Sequence, residues 1–143
     1  LLIAGSGSQK EKLQQKVNLL KITTIKFWEV PNDKVPEIQS EADVMLLPIK
    51  KGAAASSIPS KLPAYMFSKK AIIACVDQDS DTARVINESG SGWVLEPENS
   101  DLLSKSMKMA YLSEKSELKI KGENGFNYAM NHLSKKNNLK KNH

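Results

Sequence analysis

Ser56, Ser57, Ser60 and Lys61 fall in one short run, S-S-I-P-S-K-L-P, and could together hold an anion. Hydroxyls and an ammonium all donate hydrogen bonds to phosphate or carboxylate oxygens. The run closes a loop of small residues, Lys50 to Pro59, where Gly52 and Ala53 to Ala55 let the backbone approach a ligand. Pro59 suits the first turn of a helix, where its missing N–H costs nothing. Ser57 is then a candidate N-cap, and the free amides of that helix point toward the end of the preceding strand, close to Lys61. An ordinary helix start after a loop is the competing reading. A second candidate is Gly5-Ser6-Gly7-Ser8, directly after the apolar run Leu1 to Ala4. Gly-x-Gly without a third glycine is a weak dinucleotide signal, and a tight strand-to-helix turn explains Gly5 and Gly7 equally well.

Other reactive side chains offer less. His132 and His143 have no acidic partner in register, so neither is placed as a general base. Asp77, Asp79 and Asp81 alternate like part of a calcium loop but lack its glycine and its distal glutamate, and turn and capping chemistry accounts for them. Cys75 is the single cysteine and sits in an apolar strand. It excludes an internal disulfide or a cysteine-rich metal site and suits a reducing compartment. Tyr65, Met66 and Phe67 read as core. Trp28 and Trp93 also read as core, although Trp28 closes a strand where a planar base could pack.

These groups need a scaffold. The 143 residues are 40% apolar and 26% charged, enough for one domain with a real core. The formal charge is 21 − 16 = +5, which suits phosphate-bearing ligands, anionic lipid or nucleic acid without choosing among them. No nucleic-acid motif or basic–aromatic stripe accompanies the charge, so nucleic acid is not an expected partner. No apolar run is long enough to span a membrane, and no signal-peptide pattern is present. Apolar runs at Leu1–Ala4, Thr24–Trp28, Val44–Leu47, Ala71–Val76 and Trp93–Leu95 read as strands. Between them lie helical patterns: Leu13, Val17 and Leu20; Val35 to Glu41; the segment from Pro59; and Thr82 to Ser89, closed by Gly90. Ser100 or Asp101 should cap a further helix with Leu102, Leu103, Met107, Ala110 and Tyr111 on one face. The last helix covers Leu118 to Leu133, with the stripe Phe126, Ala129, Met130 and Leu133, and Gly122 and Gly125 weaken its first half. The alternation predicts an α/β fold, a Rossmann-like doubly wound parallel sheet over residues 1–134, followed by a basic, frayed tail over 135–143. In such sheets ligands bind beyond the carboxyl ends of the strands, here Gly5–Ser8, Trp28–Pro31, Pro48–Pro59 and Asp77–Asp81. The chain opens inside a strand, so it reads as part of something longer.

Several blocks also occur together in a familiar order. LLIAGSGSQKEKL is followed by IKFWEVPNDKVPEIQSEADVMLLP, then SSIPSKLPAYMFSKKAIIA, GSGWVLEPEN and a terminal helix with GFNYAMNHL. The ordered set resembles the C-terminal, donor-binding domain of GT-B-fold glycosyltransferases of the group 1 type. The S-x-P-S-K variant is similar to bacterial polysaccharide or amino-sugar transferases. The resemblance runs from about Leu1 to Leu133.

The resemblance implies an enzyme, a hexosyl- or N-acetylaminosugar transferase. It would draw on a nucleotide-diphosphate sugar, UDP-sugar foremost, and retain anomeric configuration, with no cofactor and no obligatory metal. It implies a cleft between two Rossmann-like domains, of which this chain is one. The N-terminal acceptor domain lies outside the chain. So does this domain's opening strand, which belongs in the middle of the sheet, with the basic residues after it. The chain alone is therefore expected to be inactive. Donor contacts are implied at Gly5, Gly7, Ser56, Ser57, Pro59, Ser60 and Lys61, with Trp28 and Val30 on the base side; no catalytic residue or metal ligand is assigned. Two glutamates that the family often carries around the loop–helix turn correspond to Ser56 and Ala64, so no carboxylate is present there to hold a ribose. A cytoplasmic place is implied, with the basic tail weakly attracted to an anionic inner membrane face. The alternative is a non-catalytic Rossmann-like module that binds nucleotide, phosphate or another protein.

Overall fold

The computed structural model describes residues 1–53 and 58–134. It divides into two units, Leu1–Ile38 and Gln39–His143.

In the first unit, β1 (Leu2–Ala4) is followed by α1 (Lys10–Leu19) and β2 (Lys26–Trp28). The two strands pair in parallel, Leu2 with Lys26, Ile3 with Phe27 and Ala4 with Trp28. Thr24 and Ile25 were expected in the second strand, but the ladder begins at Lys26, whose amide bonds to the Leu1 carbonyl at 2.9 Å. A 3-10 turn, Asn32–Lys34, follows Pro31, and α2 (Val35–Glu41) carries the chain onward.

The second unit holds β3 (Val44–Pro48), α3 (Lys61–Phe67), β4 (Ala71–Cys75), α4 (Asp81–Ser89), β5 (Gly92–Leu95), α5 (Ser100–Leu112) and α6 (Lys115–His132). Its sheet runs β3-β4-β5, parallel throughout. Every residue of β4 is buried, as the unbroken run A-I-I-A-C requires of a strand covered on both faces. Its side chains alternate between two cores. Ile72 and Ala74 join Leu62, Tyr65 and Met66 of α3, Ala83, Val85 and Ile86 of α4, and Ala129 of α6. Ile73 and Cys75 join Leu95 and Ala110, with Leu102, Leu103 and Met107 of α5 packed around them. Helices thus cover both faces of the sheet.

The strands form two ladders, not one continuous sheet.

Several boundaries move by local chemistry. The cap of α5 is Asn99, whose side chain accepts the Leu102 amide at 3.0 Å, in place of Ser100 or Asp101. Tyr111, assigned to the inner face of α5, is 88% exposed, because it stands about 100° round the helix from its buried neighbour Ala110. On α6 the buried residues are Gly122, Gly125 and Ala129, while Met130 is exposed. The inner face of α6 is therefore the glycine face. Phe67 is also exposed, and meets Phe126 edge-to-face at 6.3 Å, with the Lys69 ammonium 4.5 Å from the Phe126 ring centre.

Candidate functional site

The strand ends of each unit carry the candidate residues. In the first unit β1 and β2 end side by side, and the Gly5 amide extends the ladder by donating to the Trp28 carbonyl at 3.0 Å. Gly5 has φ +142°, a conformation that L side chains rarely adopt, and an added Cβ there or at Gly7 would meet nothing within 4 Å. The turn is thus glycine by conformation at Gly5, and open above both positions. Strand alternation turns Phe27 inward and leaves Lys26 and Trp28 on the outer face. Trp28 is consequently 53% exposed and not core, as its strand pattern had suggested. Val30, two residues on, is half-buried. Lys10, at the start of α1, pairs with Glu29 at 2.9 Å and ties that helix to the end of β2. Gly5, Trp28 and this ion pair therefore share one end of the ladder.

In the second unit β3 and β4 part after the Ile49 amide donates to the Cys75 carbonyl at 2.9 Å. The chain then turns over Lys50–Ala53, closed by the Ala53 amide on the Lys50 carbonyl at 3.0 Å. Gly52 takes φ +79°, as the third residue of a type II turn must. Its amide donates to Asp77 Oδ2 at 2.8 Å, which ties the loop after β3 to the loop after β4. Asp77 is itself held by Ser80: its carbonyl accepts from the Ser80 hydroxyl at 2.6 Å and from the Ser80 amide at 3.1 Å. Ser80 Oγ in turn accepts the Ala83 amide at 3.1 Å and so caps α4. The turn role read for Asp77 holds here, but the cap of α4 is Ser80 and not an aspartate; Asp81 pairs with Arg84 at 3.0 Å.

The S-S-I-P-S-K run is reached only in part. Ser56 and Ser57, including the candidate cap at Ser57, lie outside the described residues. Pro59 stands just before the cap position and not within the first helical turn: α3 begins at Lys61, and the Pro59 carbonyl accepts the Leu62 amide at 3.1 Å. The missing proline N–H is harmless in either place. Ser60 holds the cap position with helical dihedrals, and its side chain bonds no backbone amide. Lys61 is exposed and, among the described residues, makes no ion pair. Ala64 is exposed on α3, whereas Tyr65 and Met66 are buried as read from the sequence. Burial pushes the Cys75 thiol up, so at neutral pH it packs as a small apolar side chain and is no nucleophile.

Each unit thus assembles its own strand-end cluster: Gly5 with Trp28 in the first, and the Lys50–Ala53 turn with Asp77 and Ser80 in the second. Sequence reading gave Asp77 only a turn role. The signal for more was Gly52, a glycine among alanines at a strand end, facing the acid that opens the next strand-end loop.

Residues 1–112 match the family model described as Glycosyl transferases group 1. Among solved structures, the C-terminal domain of a glycosyl transferase group 1 family protein (LpcC) from Francisella tularensis is 19% identical. It superposes with a TM-score of 0.67 over 88% of this chain and 63% of that one. A glycosyltransferase from Rickettsia africae gives a TM-score of 0.77 at 18% identity, over 99% of this chain and 37% of that one. WaaG, a glycosyltransferase involved in lipopolysaccharide biosynthesis, gives 0.69 at 21% identity, over 91% and 33%. The chain therefore spans about a third of the longer two and less than two thirds of the first. At these identities the likeness establishes the fold. No curated protein matches the sequence.

Proposed function

The chain belongs to the glycosyl transferases group 1 family, and from that premise we propose that it is the donor-binding half of a retaining glycosyltransferase. The family match over residues 1–112 carries the reading. The donor is a nucleotide-diphosphate sugar, UDP-sugar foremost, and the group moved is a hexose or an N-acetylaminosugar. Strand-end loops of small residues support this, because doubly wound sheets take ligands there. So do the exposed lysines Lys50, Lys51 and Lys61, which make no ion pair among the described residues.

In transfer the diphosphate departs and gains negative charge as the glycosidic bond breaks. A fixed ammonium near the leaving oxygens stabilises that charge more than the ground state's. Lys61 is assigned this role, with Ser56, Ser57, Pro59 and Ser60 shaping the turn before it. Gly5 and Gly7 leave room for the donor, and Trp28 and Val30 take the base side, where an exposed indole can stack on a planar ring. The acceptor half comes from a separate N-terminal domain, so the chain alone transfers no sugar. The involvement of WaaG in lipopolysaccharide biosynthesis supports a bacterial polysaccharide or glycoconjugate product. A cytoplasmic enzyme, loosely held at an anionic inner membrane face, fits that role. The basic tail invoked for the contact, residues 135–143, lies outside the described residues, and no described helix is long and apolar enough to cross a membrane.

Ala64 favours a second reading. An exposed alanine stands where the family often places the glutamate that holds the ribose, which suits a non-catalytic module for nucleotide, phosphate or protein. Calorimetric titration of the complete enzyme with UDP and other nucleoside diphosphates tests the donor site, and sugar transfer by that enzyme separates the two. A hydrogen bond to a charged group is worth about 1.5–3 kcal/mol, so Lys61→Ala should weaken UDP binding roughly 10- to 150-fold. Lys119→Ala, on α6, should change nothing. If no nucleoside diphosphate binds, or Lys61→Ala binds as wild type does, the donor-site assignment fails.

A further inference from the structure

The bond from the Gly52 amide to Asp77 Oδ2, 2.8 Å long, joins residues 25 apart and lies beyond the last backbone rung between β3 and β4. It holds a turn whose first two residues, Lys50 and Lys51, are both exposed and make no ion pair among the described residues. Asp77 is in turn braced by two bonds from Ser80, the cap of α4. A continuous path thus runs from a buried helix cap, through one carboxylate, to a dibasic turn at a strand end.

We infer that Asp77 is a positioning residue for the donor site: by fixing the Lys50–Ala53 turn it raises the affinity for a nucleoside diphosphate. The inference rests on the donor-binding reading above. A turn already held in one conformation loses less entropy when its lysines engage phosphate. A carboxylate accepting a backbone amide is the stronger class of hydrogen bond, and suits a clamp in partly exposed surroundings. The clamp also makes a prediction opposite in sign to simple charge. Removing an acid near an anion site should strengthen anion binding by Coulomb's law, whereas removing this one should weaken it.

The test compares Asp77→Ala, Asp77→Asn and Asp79→Ala in the complete enzyme. Asp79 is exposed and lies in the same loop, so its loss removes the same charge without the clamp. UDP affinity is measured by calorimetry, exchange of the Gly52 amide by hydrogen–deuterium exchange, and stability by Tm. Asp77→Ala should weaken UDP binding about 3- to 10-fold, the ordering cost of about one immobilised side chain that the clamp spares, and speed exchange at Gly52. Asp77→Asn keeps an accepting oxygen and should restore most of both. Asp79→Ala should leave affinity unchanged or slightly improved. Wild-type affinity in Asp77→Ala overturns the inference and leaves the donor reading standing. So does an equal loss in Asp79→Ala, or a lower Tm with unchanged affinity. Failure of the wild type to bind any nucleoside diphosphate overturns the donor reading, and the inference with it.

Discussion

Gly122→Ala should destabilise the protein, although by helix propensity it ought to help. Gly122 lies within α6, where replacing glycine by alanine is ordinarily worth about 1 kcal/mol. Here an alanine Cβ would stand 2.0 Å from the Lys69 carbonyl oxygen, 2.6 Å from its carbon and 3.1 Å from the Lys70 nitrogen. All three are backbone atoms between α3 and β4, so no side chain can swing away. Carbon contacts settle near 3.5 Å, so α6 must retreat by more than 1 Å. That retreat loosens the packing of α6 on Met66 and uncovers its own Ala129, both 0% exposed. Overpacking of this kind costs about 1–3 kcal/mol, and at its upper end, less the propensity gain, leaves about 2 kcal/mol. For a chain of this size that lowers Tm by roughly 6–10 °C. Asn127→Ala, on the exposed side of the same helix, is the control and should raise stability by about 0.5 kcal/mol. Thermal unfolding followed by circular dichroism reads both. An unchanged or higher Tm in Gly122→Ala would refute the close approach of α6 to the turn before β4.

Three further outcomes are expected. Thr82 is fully buried, and its Oγ1 finds no partner among the described residues. Thr82→Val, nearly isosteric, should therefore be neutral or stabilising by up to about 1 kcal/mol in urea unfolding, where an ordinary bonded threonine would lose stability. Asn99→Ala removes the cap of α5 and should cost about 1 kcal/mol, while Ser100→Ala beside it should cost little; equal effects would contradict the assignment of the cap. Burial raises the Cys75 thiol and the Tyr65 phenol above their ordinary values, so both hold their protons longer in the folded chain than in the unfolded one. Stability from this source is intact below about pH 8.5 and falls as pH climbs past the ordinary thiol and phenol values of about 8.5 and 10. Urea midpoints from pH 7 to 10.5 should show that decline, and Cys75→Ala should remove its first part.

The sequence by itself determined the strands, the helices and the class of fold. A-I-I-A-C, short, apolar and followed by a polar turn, reads as a strand buried on both faces, and the alternation of such runs with helical patterns pointed to a parallel doubly wound sheet. These features are local: each depends on residues within one element, so each is written in one stretch of chain. The ordered blocks from Leu1 to Leu133 likewise held the family in linear form. Tertiary structure decided which face of each element is covered. Gly122 and Gly125 read as flaws in a helix until α6 lies against the turn at Lys69, where only a missing side chain allows contact. Trp28 read as core by its type, and three residues of ladder turned it outward. Asp77 read as a loop residue, and became a brace only because β3 and β4 end together in register, bringing it to an amide 25 positions away. Periodicity records which side of an element is apolar, but carries no information on which distant backbone will meet it, and the site is built from such meetings.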